Sequence, residues 1–181
     1  MHKTIYLVRH CSATGQESDA ALTADGRQQA IEVGEWLSGM NVERIVSSPF
    51  TRAIDSITPL ASRLGLNVEV DDRLMERVLS DAHLPDWRDQ LAASFIDLDL
   101  RLPGGETSYE AMARGVALVD DILRHEAAVT VLVTHGNLLT LLLKHFDESV
   151  GYSTWERLTN PDVFRVAPSN GAYSVNRITK P

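Results

Sequence analysis

The sequence predicts an α/β fold, a three-layer α/β/α sandwich around a mostly parallel sheet with an antiparallel C-terminal strand. Three observations predict it. Short runs of β-branched and aliphatic residues, apolar on both faces, are typical of buried parallel strands. These runs alternate with longer stretches that carry helix-capping residues. Near the C-terminus, two runs of alternating residues flank a turn sequence, which favours an antiparallel pair.

The first half of the chain supplies three predicted strands and two predicted helices. The strands are Thr4–Val8, Arg44–Ser47 and Asn67–Val70. The first helix begins after an N-cap at Thr23 and ends near Leu37. The second is predicted to be capped by Ser48, to open with Pro49 and to end near Leu64, before a glycine.

A long irregular stretch interrupts this pattern in the middle of the chain. Residues Asp71–Pro103 contain prolines and scattered acidic and aromatic residues without a clear period. Interruptions of this length in compact domains usually serve a function. We therefore expect residues 71–106 to form a lid or a wall over a binding site.

After this stretch the alternation of helices and strands returns. Thr107 is the predicted N-cap of a helix that ends near His125, and Glu110 completes a capping box. The elements predicted after this helix are the strand Val129–Thr134, the helix Asn137–Phe146, and the strands Val163–Ala167 and Ala172–Arg177, joined by a turn at Ser169-Asn170-Gly171.

Length and composition predict a single domain over residues 1–181, located in the cytoplasm. The chain carries a formal net charge of -8, so no basic surface is expected to attract nucleic acid or a membrane. Its apolar runs are too short to cross a bilayer, and Arg9 comes too early for a secretion signal. A single cysteine, Cys11, excludes an internal disulfide. The sequence does not indicate an oligomeric state.

The candidate functional residues follow the ends of the predicted strands, where open α/β sheets bind ligands. Arg9 and His10 follow the first strand, Arg52 lies just after the second, Glu76 follows the third, and His135 follows the fourth. Each residue alone could be an ordinary surface or core residue, but their common location is difficult to explain in that way. In a chain of this net charge, the cluster predicts a site for an anion such as phosphate.

These residue types suit phosphoryl transfer. A neutral imidazole can attack phosphorus and form a phosphohistidine, and neighbouring guanidiniums keep it neutral by lowering its pKa. Arg9, Arg52 and a cationic His135 can hold the phosphoryl oxygens, while Glu76 can give a proton to the leaving group. Because positive side chains can replace a metal ion here, we expect neither a metal nor a cofactor.

Five motifs occur in series along almost the whole chain. They are Leu7-Val8-Arg9-His10, Ser47-Ser48-Pro49-Phe50-Thr51-Arg52-Ala53, Leu74-Met75-Glu76-Arg77, Pro103-Gly104-Gly105-Glu106-Thr107 and Val133-Thr134-His135-Gly136. Together they resemble the histidine phosphatase superfamily, the phosphoglycerate mutase-like proteins. The resemblance implies an α/β/α fold with a lid-like insert. It also implies the nucleophile at His10, phosphate ligands at Arg9, Arg52 and His135, and a proton donor at Glu76.

Around the nucleophile the chain departs from the sequence usual in this family. Cys11 stands where glycine or alanine is usual, and Ser12-Ala13 replaces a Glu-Thr pair. Gln16 stands where an asparagine is expected. We expect Gln16 and Gly136 to contribute further phosphate contacts.

The resemblance predicts a metal-independent phosphomonoester hydrolase that acts on small phosphorylated metabolites, and two related activities stay open. A phosphoglycerate mutase returns the phosphoryl group to another position of the same sugar acid, but that branch usually has longer inserts. A protein phosphohistidine phosphatase is the other alternative. Its imidazole leaving group has little need of an acid such as Glu76.

Other classes of protein fit the sequence less well. A cysteine phosphatase built on Cys11 needs an arginine six residues later, where the chain has Glu17. A domain that had lost its activity would be expected to lack one of the five candidate residues at the strand ends, and all five are present. The histidines outside the motifs are too scattered to indicate a metal hydrolase: His2, His83, His125 and His145.

Overall fold

Six strands and six helices form the computed structural model, which describes residues 3–169 and 172–179. The strands are β1 (Thr4–Arg9), β2 (Arg44–Ser47), β3 (Val68–Val70), β4 (Val129–Thr134), β5 (Asp162–Ser169) and β6 (Ala172–Ile178). The helices are α1 (Ala24–Ser38), α2 (Thr51–Leu64), α3 (Trp87–Ile96), α4 (Ser108–Arg124), α5 (Gly136–Phe146) and α6 (Tyr152–Glu156).

One sheet joins all six strands in the order β3-β2-β4-β1-β5-β6. Strands β1 to β4 are parallel, and β5 pairs antiparallel with both β1 and β6. The predicted antiparallel strand is therefore β5, and β6 completes a hairpin at the edge of the sheet. Asn170 and Gly171 of the predicted turn lie outside the described residues.

Helices cover both faces of this sheet. Along β1, Ile5 and Leu7 point to one face while Tyr6 and Val8 point to the other, because side chains alternate along a strand. Helices α1 and α2 pack against the Tyr6 face, and α4 and α5 pack against the Ile5 face. The predicted three-layer sandwich is confirmed.

The second helix begins later than the sequence predicts. Its first residue is Thr51, and the preceding Phe50 caps it without a side-chain hydrogen bond. Ser48 instead continues the sheet, since its N–H donates to the carbonyl of Val133 at 2.9 Å. The Ser48 hydroxyl lies 2.7 Å from Nε2 of His135. The predicted cap therefore contributes to the site at the end of the strands.

The sequence pattern does not predict helices α3 and α6, whereas the capping box that it predicts for α4 is present. In α3, the polar Ser94 is buried while the apolar Ile96 is 87% exposed, so the apolar residues of this helix do not mark its buried face. Helix α6 has five residues, too few to show a period. Thr107 and Glu110 exchange hydrogen bonds at the start of α4, as predicted. The single domain and the lid role of residues 71–106 stay predictions.

Candidate active site

Parallel pairing brings the ends of β1, β4 and β2 side by side. Arg9, the last residue of β1, is the register partner of Thr134, the last residue of β4. The N–H of His10 donates to the carbonyl of Thr134 at 3.0 Å. As a result His10 and His135 follow adjacent strands, and their ring centroids lie 5.1 Å apart. Both imidazoles therefore lie at the carboxyl edge of the sheet, where the sequence predicts them.

The His10 imidazole is fixed in one orientation. Its Nδ1 lies 2.7 Å from the carbonyl oxygen of Cys11, which can only accept, so the proton is assigned to Nδ1. Nε2 then carries a lone pair, to which Nε of Arg52 donates at 3.2 Å. Burial and the positive charges of Arg52 and Arg9 together lower the pKa of His10 to about 4, against the opposing effect of the Cys11 carbonyl. The ring is therefore neutral near pH 7, with its lone pair at Nε2.

Arg52 lies in the first turn of α2 and is only 1% exposed. Its Nη1 donates to the carbonyl oxygens of Gln16 at 3.1 Å and of Glu17 at 2.7 Å. The guanidinium also lies over the ring of Phe50, with Cζ 4.9 Å from the ring centroid. These contacts hold the cation at His10 although the N-terminal end of a helix disfavours positive charge.

Arg9 is half-buried beside the first turn of α5. Its Nη1 donates long hydrogen bonds to the carbonyls of Leu158 at 3.3 Å and Thr159 at 3.4 Å. Its Nε is buried and has no hydrogen-bond partner among the described residues. A Cβ placed on Gly136 would lie 3.3 Å from Cζ, Nε and Nη2 of Arg9. Gly136 therefore makes room for the guanidinium.

His135 caps the start of α5 and is held by Ser48. Its Nε2 lies 2.7 Å from the Ser48 hydroxyl, and its Nδ1 is buried without a partner among the described residues. Phe50 packs edge-on against the ring, with centroids 4.8 Å apart. Burial lowers the pKa of His135 well below its usual value, and the charges of His10 and Arg52 act in the same direction. This lowered pKa favours a neutral His135 ring near pH 7, whereas the sequence predicts a cation.

Glu76 is held at the N-terminus of α5 by main-chain donors. Its Oε1 accepts from the N–H groups of Arg77 at 2.9 Å and Leu138 at 3.0 Å. Its Oε2 accepts from the N–H of Asn137 at 3.0 Å. The free N–H groups at the start of α5 supply two of these donors. Glu76 is thus fixed beside the two strand ends that carry the imidazoles.

These residues surround a cavity of about 190 Å³ at the carboxyl edge of the sheet. Its lining residues are Arg9, His10, Ser12, Ala13, Gly15, Gln16, Glu76, Gly136 and Asn160. Of the residues predicted from the sequence, Arg52 and His135 are not in this lining, but Arg52 donates to Nε2 of His10 and the His135 ring lies 5.1 Å from the His10 ring. Gln16 lines the cavity and binds Arg52 through its main-chain carbonyl. Phosphate contacts of Gln16 and Gly136 stay predictions.

Sequence reasoning missed three side chains of the site. Ser48 binds His135, and Phe50 packs against both His135 and Arg52. The position of Ser48 at a strand end was a usable signal for it. Asn160 donates from Nδ2 to the carbonyl of His10 at 2.7 Å, across 150 positions of sequence. No local pattern marks Asn160, because it lies in a loop whose place depends on the antiparallel pairing of β5 with β1.

Cys11 lies beneath the site and is completely buried with Leu22 and Ala30. Its N–H donates to the hydroxyl of Ser56 at 2.7 Å. Burial raises the pKa of the Cys11 thiol to about 11, so the reactive thiolate is scarce near pH 7. The structure thus supports packing rather than nucleophilic attack as the role of this side chain.

Within residues 3–169 and 172–179, no three His, Cys, Asp or Glu side chains cluster closely enough to hold a metal ion. Over the same residues, no helix is long and apolar enough to cross a membrane.

Known proteins similar to this chain include both mutases and phosphatases. The probable phosphoglycerate mutase GpmB of Citrobacter koseri is 31% identical over 90% of this chain and 83% of its own length. Mycobacterial glucosyl-3-phosphoglycerate phosphatase superimposes with a TM-score of 0.81, at 25% identity over 98% of each chain. Bacillus stearothermophilus YhfR gives a TM-score of 0.79, at 25% identity over 97% of this chain and 96% of its own.

The sequence pattern of the histidine phosphatase superfamily (branch 1) matches residues 5–180. This match covers nearly the whole chain and includes all five motifs. The chain belongs to the histidine phosphatase superfamily.

Proposed function

We propose that this chain is a metal-independent phosphomonoester hydrolase that acts on small phosphorylated metabolites through a phosphohistidine at His10. The observation that carries the proposal is the state of the His10 ring. The Nδ1–H of His10 donates to the Cys11 carbonyl, and the lone pair of the neutral ring is left at Nε2, to which Nε of Arg52 donates. A neutral, oriented imidazole is the form that can attack phosphorus.

In the first step, the hydrogen bond from Nε of Arg52 passes from Nε2 of His10 to a phosphoryl oxygen. The freed Nε2 lone pair bonds to phosphorus while the bond from phosphorus to the ester oxygen breaks. Arg9 and Arg52 hold the phosphoryl oxygens, on which charge spreads during transfer. His135 is neutral in the free site, so it contributes a hydrogen bond rather than a charge. Its unpartnered Nδ1 is the atom that can carry the donated proton.

The leaving oxygen takes a proton from Glu76. Oε2 accepts one main-chain hydrogen bond where Oε1 accepts two, so Oε2 has the freer lone pairs for that proton. In the second step, water gives a proton to Glu76 and attacks the phosphohistidine. Inorganic phosphate leaves, and the neutral His10 ring is restored.

A second cavity of about 190 Å³ supports a small substrate. Arg9 lines both cavities, so the second cavity adjoins the proposed phosphate site. The other residues that line the second cavity are Arg88, Trp155, Glu156 and Leu158. The remainder of a phosphomonoester bound at His10 would lie in this space. Its size suits a metabolite rather than a folded protein, which favours metabolite hydrolysis over a protein phosphohistidine phosphatase.

His10→Ala should abolish phosphate release from an aryl phosphate. A matched control is His145→Ala, because His145 is an exposed imidazole at the other end of α5. Full activity of His10→Ala would overturn the proposal. Loss of activity on treatment with a chelator would overturn its metal-independent part.

Glu76→Gln separates the proton-donor role from simple positioning. We expect it to slow alkyl phosphates, which have poor leaving groups, about 100-fold or more, and aryl phosphates much less. Equal losses on both substrates would remove Glu76 from the donor role.

Mutase activity is the second candidate, and the GpmB relatives favour it. A panel of phosphorylated metabolites should be assayed for phosphate release while isomerisation of 3-phosphoglycerate is followed in parallel. Hydrolysis predicts phosphate release without isomerisation. Isomerisation that is faster than release would assign the chain to the mutases.

A further inference from the structure

Outside the proposed site, the buried Asp162 carboxylate forms an ion pair with Arg177, whose side chain is 41% exposed. Asp162 is the first residue of β5, and its side chain is 3% exposed. Arg177 of β6 donates from Nε to Oδ1 at 2.8 Å and from Nη2 to Oδ2 at 2.6 Å. This two-point geometry holds the guanidinium and carboxylate in one relative orientation.

The pair also organises the 157–161 loop, which connects α6 to β5. The N–H of Thr159 donates to Oδ2 of Asp162 at 3.0 Å. Nη2 of Arg177 donates to the carbonyl of Arg157 at 3.2 Å and to the hydroxyl of Thr159 at 3.4 Å. Both partners of the ion pair therefore bind the loop, and they fix it to the edge of the sheet.

The other side of the same loop contacts the proposed catalytic residues. The carbonyls of Leu158 and Thr159 accept from Nη1 of Arg9, and Nδ2 of Asn160 donates to the carbonyl of His10. The lining of the catalytic cavity includes Asn160 but neither member of the ion pair. Asp162 and Arg177 both border a larger cavity of about 500 Å³ beside α1.

We propose that Asp162 and Arg177 are positioning residues for phosphoryl transfer, acting through the 157–161 loop on the Arg9 guanidinium and the His10 main chain. This inference rests on the proposed function. Arg9 has only long hydrogen bonds to the loop carbonyls, so its placement depends on where the loop lies. Without Arg177, the buried Asp162 carboxylate loses both hydrogen bonds from its charged partner, and the loop loses the hydrogen bonds donated to Arg157 and Thr159.

Arg177→Met is expected to lower kcat about 10- to 100-fold, since a 1 Å error in a catalytic group can cost about 100-fold. Arg177→Lys keeps the charge but not the two-point geometry, so its kcat should fall between those of Arg177→Met and the wild type. A matched control is Arg44→Met. Arg44 forms the same two-point pair with Glu69, but at the start of β2 and so at the opposite edge of the sheet. Its removal should leave kcat unchanged.

A pH profile distinguishes positioning from a general loss of stability. The charged and titratable groups around His10 are Arg9, Arg52, Glu76 and His135. Because Arg9 is one of the groups that lower the pKa of His10, moving Arg9 away should raise that pKa. We expect the acid limb of kcat/KM to move to higher pH in Arg177→Met and to stay in place in Arg44→Met.

A double variant tests the route through Arg9. Added to Arg9→Ala, Arg177→Met should lower kcat less than about threefold further, because the guanidinium that the loop positions is already absent. A full additional loss would overturn the route. If Arg177→Met does not fold, Arg177→Lys decides: wild-type kcat with an unmoved acid limb would overturn the inference.

Trapping of phosphohistidine in the wild type separates this inference from the proposed function. If the wild type forms no phosphohistidine, the proposed function fails. If it does and the Arg177 variants retain wild-type kcat and pH profile, only the positioning inference fails.

Discussion

Gly136→Ala tests how closely the site is packed around Arg9. A Cβ at this position lies 3.3 Å from three atoms of the guanidinium, whereas uncharged heavy atoms prefer about 3.5–4.0 Å. Alanine should therefore displace Arg9 by roughly 0.5 Å. If 1 Å of misplacement costs about 100-fold, kcat should fall about 10-fold.

Stability should respond in the opposite direction. Gly136 begins α5 and is not among the glycines with positive φ, so alanine fits its backbone without strain. Replacing such a glycine stabilises a protein by about 0.4–1 kcal/mol, chiefly by restricting the unfolded chain. We therefore expect Gly136→Ala to unfold at the same temperature as the wild type or higher, while its activity falls.

Steady-state hydrolysis of an aryl phosphate and thermal unfolding measure the two effects. Gly39→Ala is the matched control, because a Cβ there would meet only the Trp36 carbonyl at an ordinary 3.8 Å. It should leave kcat unchanged. Wild-type kcat in Gly136→Ala would refute the reasoning that this glycine sets the position of Arg9.

Three further predictions concern the imidazoles and the buried thiol. Because burial and the nearby guanidiniums lower the pKa of His10 to about 4, kcat/KM should lose activity on the acid side only as pH falls through about 4. In the unfolded chain His10 takes up a proton near its ordinary pKa of 6.5. His10 should therefore lower the free energy of unfolding by about 3 kcal/mol as the pH falls from 6.5 to 4. A free energy of unfolding that denaturant titrations find independent of pH would contradict this. Ser48→Ala leaves Nε2 of His135 unpaired, and should lower the free energy of unfolding by about 1–3 kcal/mol together with kcat; an unchanged midpoint and kcat would count against that contact. Iodoacetamide should not inactivate the native protein, because Cys11 is buried and its pKa is raised to about 11; rapid inactivation that Cys11→Ala abolishes would show an accessible thiol.

The sequence was sufficient for those features that depend on local pattern. Apolar runs identify the strands because buried parallel strands need apolar side chains on both faces. Once the strands are parallel, their carboxyl ends share one edge, so the meeting of His10 with His135 follows. The capping box of α4 is likewise local and was predictable from Thr107 and Glu110.

Features that depend on tertiary contacts could not be predicted from the sequence. Asn160 reaches His10 only because β5 lies antiparallel to β1. The neutral state of His135 depends on its burial and on charges from distant parts of the chain. Ser48 looks like a helix cap in sequence, yet its hydroxyl binds His135 because the strand ladder extends one residue further. In each case the deciding neighbour is far away in sequence.

The proposed phosphohistidine is tested most directly by its position on the ring. The wild type should be mixed with a phosphomonoester, quenched in alkali, and examined by mass spectrometry and phosphorus NMR. Because Nδ1 of His10 donates to the Cys11 carbonyl, the mechanism predicts one phosphoryl group on Nε2 of His10. This phosphoryl group should be absent from His10→Ala, and water should hydrolyse it in the wild type. Phosphate release without labelled His10, or a phosphoryl group on Nδ1 or another residue, would contradict it.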